Sequence, residues 1–200
     1  MVFNENTRVK IPAILHLTQL GYEYVSLKNA KIDLDTNIFT DIFTESILRI
    51  NAMPNTPDDV ATAKEKTSSE TSEYAYEMGE LSYMVAEDAP AYCVDRKITE
   101  EDVSRLLLEL KDLLDYQDLG KAFYKRMLSM TGIRLIDFED FLNNSFHVCT
   151  ELTCKNGEDE FRPDITILIN GMPLIFIEVK KPNNIEGILA ERDRINIRFQ

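Results

Sequence analysis

The chain has 200 residues, 44% of them hydrophobic, enough for an ordinary core without disulfides or a structural metal. Its formal net charge of -13 counts against a self-sufficient nucleic-acid binder, because a phosphate backbone is held chiefly by Lys and Arg. No window approaches the roughly eighteen uninterrupted apolar residues of a membrane span, and the N-terminus carries no signal-peptide pattern, so one soluble cytoplasmic domain is expected.

In chain order, Val9, Ile11, Ile14, Leu15 and Leu17 predict a helix over residues 5–20, with Pro12 marking a kink or late start and Gly21 the stop. Tyr22, Tyr24 and Val25 read as extended. Ile38, Phe39, Ile42, Phe43, Ile47 and Leu48 then repeat with helical period. Residues 51–72 are polar, with Pro54, Pro57 and a Ser/Thr/Glu tract, and predict a surface loop. Thr99 before Glu100, Glu101 and Asp102 is an N-cap with acids in the first turn, opening a helix whose stripe is Val103, Leu106, Leu107, Leu110, Leu113 and Leu114. A further helix is expected around residues 119–130.

After Thr131-Gly132 the period shortens. Phe146, Val148 and Thr150 alternate with His147, Cys149 and Glu151 as in a strand, and Asn156-Gly157 interrupts. Ile165 to Ile169 and Leu174 to Val179 predict two more strands around an Asn170-Gly171 turn, and Glu186 to Gln200 a final helix. The expectation is an α/β domain with a mixed, mostly antiparallel sheet flanked by helices, a helical insertion over about residues 36–145, and the strands bearing the chemistry over about 145–181.

Cys93, Cys149 and Cys154 form no CxxC pair, and His16 and His147 are the only histidines. A zinc centre lacks ligands, a Ser-His-Asp or Cys-His machine lacks partners, and the cysteines are expected as reduced core residues. Chemistry must run on carboxylates, lysines or a hard metal.

Asp164 opens one strand and Glu178 sits late in the next, where alternation puts Leu174, Phe176, Glu178 and Lys180 on one face. A solvated strand end would explain isolated charges. Here, however, both faces are apolar as far as Ile177, which predicts a sheet covered on both sides, where an unpaired carboxylate is costly. A cation shared by Asp164 and Glu178 removes that cost. Hard oxygen ligands favour Mg²⁺, with Mn²⁺ as substitute and the Val179 backbone carbonyl as a candidate third ligand. Lys180 would hold an attacking water or stabilise developing charge. Geometry sets a condition. A regular two-residue hairpin pairs Asp164 with Ile177 and sends Glu178 to the opposite face, so convergence requires an odd loop or a bulge.

Pro163-Asp164, a separation of fourteen, then Glu178-x-Lys180 resembles the PD-(D/E)xK nuclease motif. More narrowly, Phe161 to Ile165, Ile169 to Leu174 and Ile177 to Pro182 resemble the N-terminal nuclease domain of type I restriction enzyme R subunits, as do residues 5–21 and Asp137-Phe138. The resemblance implies a restriction endonuclease-like fold, Glu5 as a further metal ligand, and metal-dependent cleavage of unmodified double-stranded DNA within a complex of specificity and methyltransferase subunits. It also implies an ATP-driven motor; this chain has no GxxxxGK[ST] loop, so ATP would belong to a longer protein of which this is a fragment. Residues 180–200 are locally net positive, making Lys181, Arg192, Arg194 and Arg198 the candidate DNA contacts. In related nucleases a glutamine follows the lysine on the next helix, and Gln200 is too near the end to judge. Residues 51–98 match no part of the pattern. The rival readings are a docking module with a dead nuclease site and a structure-specific nuclease, which would need aromatic platforms beside the site, whereas Phe199 is the only aromatic residue in the positive segment 180–200.

Overall fold

The computed structural model describes residues 6–52, 97–156, 159–180 and 185–198. The loop and tract expected within residues 53–96 lie outside them, as do Cys93 and Gln200. A π-helical turn, Asn6–Lys10, leads into α1 (Ile11–Gln19), with Pro12 in the first turn of α1, where the chain passes from π to α geometry. The proline marks a start. There follow β1 (Glu23–Tyr24), α2 (Thr40–Ile50), α3 (Glu100–Leu114), α4 (Lys121–Met127), β2 (Phe146–Thr150), β3 (Cys154–Asn156), β4 (Asp159–Phe161), β5 (Ile165–Ile169), β6 (Met172–Ile177) and α5 (Ile185–Arg198). Among the described residues no helix is long and apolar enough to cross a membrane.

The main sheet has the order β1-β2-β5-β6, with β1 parallel to β2 and the other pairs antiparallel, while β3 and β4 form a separate hairpin. It is the mixed, mostly antiparallel sheet flanked by helices that alternation predicted. Three strands were expected. β1 falls within the extended segment expected at residues 22–25, and the additional β3 and β4 are three residues each, too short for alternation to register.

The helices pack as their stripes dictate. Thr99 and Asp102 cap α3 reciprocally, each side chain taking the other's backbone N–H. Val103, Leu106 and Leu110 of α3 bury against Phe43, Ile47 and Ile50 of α2, with Leu135 and Met172 completing that cluster. On a second cluster, Val9, Ile14 and Leu17 from the α1 region pack on Val148, Ile165 and Val179. Cys149 is fully buried and Cys154 half-buried, both free, and burial pushes their thiols up to about 12 and about 11.

The β5–β6 turn is clamped from two sides. Asn170 and Gly171 both take positive φ, +50° and +79°, the backbone of a two-residue hairpin. The Asn170 amide donates to Leu135 O at 2.9 Å and to Asn144 Oδ1 at 2.8 Å, and accepts from Ser145 N at 2.8 Å. Phe39 N, at the start of α2, donates to Gly171 O at 2.9 Å. A Cβ on Gly171 would lie 2.7 Å from both Phe39 O and Phe43 N, so only glycine lets the helix seat there.

Two expectations about β6 are corrected. Glu178 lies one residue beyond the strand rather than inside it. Nor is β6 covered on both faces: it is an edge strand, with Ile175 45% and Phe176 37% exposed, whereas β5 is buried along Ile165 to Leu168. Continuous apolar character reported central burial for β5 and edge-strand side chains for β6.

Gly171→Ala should cost about 2–4 kcal/mol, combining the steric conflict with a strained φ, and a thermal melt would show it as a markedly lower Tm. A second prediction concerns acid. Asp137 is buried and accepts from Glu139 N, Asp140 N and Asn143 Nδ2 at 3.0–3.1 Å, with Arg134 3.7 Å away. Burial alone would raise its carboxyl, but these donors outweigh burial and hold it below the usual range. Its stabilisation is therefore complete above the unfolded value of about 4 and lost as pH falls through the lower folded value. Urea unfolding of Asp137→Asn should show a shallower loss of stability below pH about 4 than the unsubstituted chain.

Candidate carboxylate site

The register of the β5–β6 hairpin places the candidate acids. Ile169 pairs with Met172 and Leu168 with Pro173, but Ile167 pairs with Ile175, so Leu174 is an extra residue on β6. Beyond this bulge Ile165 faces Ile177, and the next step sets Asp164 opposite Glu178. The irregularity that convergence required is present.

The two acids thus occupy paired positions on one face of the hairpin. Two ionised carboxylates so placed repel, a cost that a cation held between them would offset. Asp164 Oδ2 accepts from Val179 N at 3.0 Å, and its Oδ1 lies 3.0 Å from Lys10 Nζ. Burial would raise the Asp164 carboxyl; the Val179 N–H, Lys10 and Glu178 together outweigh it and keep it below the usual carboxylate range. Glu178 is mostly buried, and its other contact of note is Lys180, whose Nζ stands 3.5 Å from Glu178 Oε2. Asp164, Glu178 and Lys180 are thus brought together. Buried Pro163 and the buried run that follows anchor Asp164, while Val179 packs beneath α1 and fixes the backbone between Glu178 and Lys180.

Sequence reasoning missed two participants. Lys10, only 7% exposed, donates to Glu151 Oε1 at 2.6 Å as well as pairing with Asp164. The buried location would lower the lysine; both carboxylates outweigh that and raise it, while Lys10 in turn holds the Glu151 carboxyl down. Arg162 Nη1 lies 3.5 Å from the other Glu151 oxygen. Lys10 stands four and seven residues before Ile14 and Leu17, a charge within the apolar stripe, and that was the available signal. Glu151 gave none, since its role depends on a backbone φ of +57° at the end of β2.

Of the remaining candidates, Arg192 and Arg194 are exposed on α5, and Arg192 pairs with its neighbour Asp193 at 2.9 Å. Glu5, Lys181 and the side chain of Arg198 lie outside the described residues. Among the described residues no group of three His, Cys, Asp or Glu is arranged to hold a metal. The oxygen-only pair suits a hard divalent ion such as Mg²⁺, which characteristically takes one or two carboxylates and completes its shell with water and substrate oxygens. A hollow lined by Glu23, Ile42, Glu45, Arg49, Ser145 and His147 lies at the other end of β2 and contains none of these residues.

The family model described as type I restriction enzyme R protein N terminus matches residues 2–196. Two curated relatives come from Methanocaldococcus jannaschii. The putative type I restriction enzyme MjaVIIP endonuclease subunit is 32% identical over 76 residues, 38% of this chain and 7% of that protein. The putative type I restriction enzyme MjaVIIIP endonuclease subunit is 43% identical over 88 residues, 41% of this chain and 8% of that protein. The aligned stretch is less than a tenth of either relative's length. No solved structure matches the chain.

Asp164→Ala should release the Val179 amide. A charge-assisted hydrogen bond contributes about 1.5–3 kcal/mol, so amide exchange at Val179 should quicken roughly tenfold or more by NMR, with exchange along β5 little changed.

Proposed function

The chain belongs to the type I restriction enzyme R protein N-terminal family, and on that premise we propose that it is a divalent-metal-dependent nuclease domain cutting unmodified double-stranded DNA. The observation that carries the reading is the bulge at Leu174, which sets Asp164 against Glu178 with Lys180 alongside. Setting two acids opposite each other carries an electrostatic cost, and a cation bound between them would offset it. On this reading the domain has the restriction endonuclease-like fold.

Asp164, Glu178 and the Val179 carbonyl would hold Mg²⁺, with Mn²⁺ able to substitute; Glu5 is a further candidate. Such an ion, when bound, activates water and neutralises charge on the scissile phosphate. The chain's own groups do the rest. The Val179 N–H keeps the Asp164 carboxylate ionised and oriented. Lys180, its Nζ close to Glu178, orients the attacking water or stabilises negative charge as the phosphodiester breaks.

The acidic composition fits a domain to which DNA is delivered. We assign delivery to an ATP-dependent motor in the longer protein and to specificity and methyltransferase subunits of a cytoplasmic type I complex, with Lys181, Arg192, Arg194 and Arg198 as local DNA contacts. ATP is then a cofactor of the longer protein alone.

Mn²⁺ binding to this chain, measured by calorimetry, should be lost in Asp164→Ala and in Glu178→Ala. Either substitution should abolish cleavage by the full-length protein while sparing ATP hydrolysis. Lys180→Ala should keep Mn²⁺ binding and slow cleavage by about 10²–10³-fold. Normal cleavage by Glu178→Ala would sink the assignment, and a docking role would replace it.

A further inference from the structure

Lys10 occupies an unusual position. It comes from the turn before α1, is almost fully buried, and its ammonium lies between Asp164 Oδ1, at 3.0 Å, and Glu151 Oε1, at 2.6 Å. The Val179 N–H takes one lone pair of Asp164 Oδ2, which makes Oδ1 the less committed oxygen for a cation, and Nζ sits on it. Glu151 stands outside the Asp164–Glu178 pair, yet it holds a left-handed φ of +57° that glutamate rarely adopts, and Arg162 steadies its second oxygen at 3.5 Å. A left-handed φ at a non-glycine residue fixes the direction in which its side chain leaves the strand end. What it points at is Lys10.

We propose that Lys10 is a positioning residue that covers the cation-binding oxygen of Asp164 in the metal-free chain, and that Glu151 takes up its ammonium when a divalent ion arrives. The inference rests on Asp164 and Glu178 being metal ligands. Its physical basis is competition. An ammonium at 3.0 Å from Oδ1 and a divalent ion cannot share that oxygen without strong repulsion. A lysine released into a buried site without a partner would be costly, and a second carboxylate already in contact removes that cost. Without Lys10, Asp164 and Glu151 would lose the ammonium that contacts both whenever the ion was absent. The lysine thus keeps the site folded and selects for ions able to displace it.

The two partners then affect affinity in opposite directions, which a scaffold role would not produce. Titrating Mn²⁺ alone into the 200-residue chain by calorimetry, Lys10→Met should bind roughly tenfold more tightly, the scale of one charge-assisted contact. Glu151→Gln should bind roughly tenfold more weakly, because Lys10 then has only Asp164. Circular dichroism verifies folding. Weaker or unchanged binding by folded Lys10→Met overturns the proposal, and if that variant does not fold, unchanged or tighter binding by Glu151→Gln overturns it. Asp164→Ala separates the two readings. If Mn²⁺ binds the unsubstituted chain and Asp164→Ala alike, or neither, the metal assignment fails and takes this proposal with it; if only Asp164→Ala loses binding, the Lys10 results judge the proposal alone.

Discussion

Leu174 is one residue more than the β5–β6 ladder accommodates, and the arrangement of the acids follows from that. The turn at Asn170-Gly171 imposes one register, and the bulge changes it by one before the strands reach Asp164. Side chains alternate between faces, so this single step decides whether Asp164 and Glu178 meet or point apart. The turn cannot yield instead, because the Asn170 amide is bonded into the core and Gly171 is pressed against the first residues of α2. Rigidity at one end of the hairpin transmits the extra residue to the other.

That end is also where three other elements close. α1 packs over Ile165 and Val179, β2 ends one residue before Glu151, and the turn before α1 delivers Lys10 between Glu151 and Asp164. Concentrated negative charge in a half-buried setting needs compensation, and here it comes from Lys10, Lys180, Arg162 and a backbone N–H. Residues from opposite ends of the chain therefore share one electrostatic problem. Family membership is consistent with both halves of the chain belonging together, since the match runs from residue 2 to residue 196.

Where sequence reading erred, it erred on context. The run Leu174 to Ile177 reads as a strand covered on both faces, yet Ile175 and Phe176 are exposed, and among the described residues β6 is the edge of the sheet. Phe176 is partly sheltered by Phe161, whose ring stands edge-on 5.3 Å away. Edge and central strands of equal hydrophobicity look alike until neighbours are known. The β3–β4 hairpin escaped notice for the simpler reason that three residues carry no period.

Local chemistry alone determined much of this protein. The capped, striped α3, the proline-started α1, the Asn-Gly turn and the acids at residues 164 and 178 are each legible because their causes lie within a few residues: a cap hydrogen bond, a fixed φ, a positive φ, a periodic stripe. Alternation even set the condition that a bulge must satisfy. Tertiary structure decided where the extra residue falls, that β6 is an edge, and that Lys10 and Glu151 join the acids across 141 positions of sequence. Those outcomes depend on which surfaces compete for burial and which charges are left needing partners, and these are properties of the assembled fold.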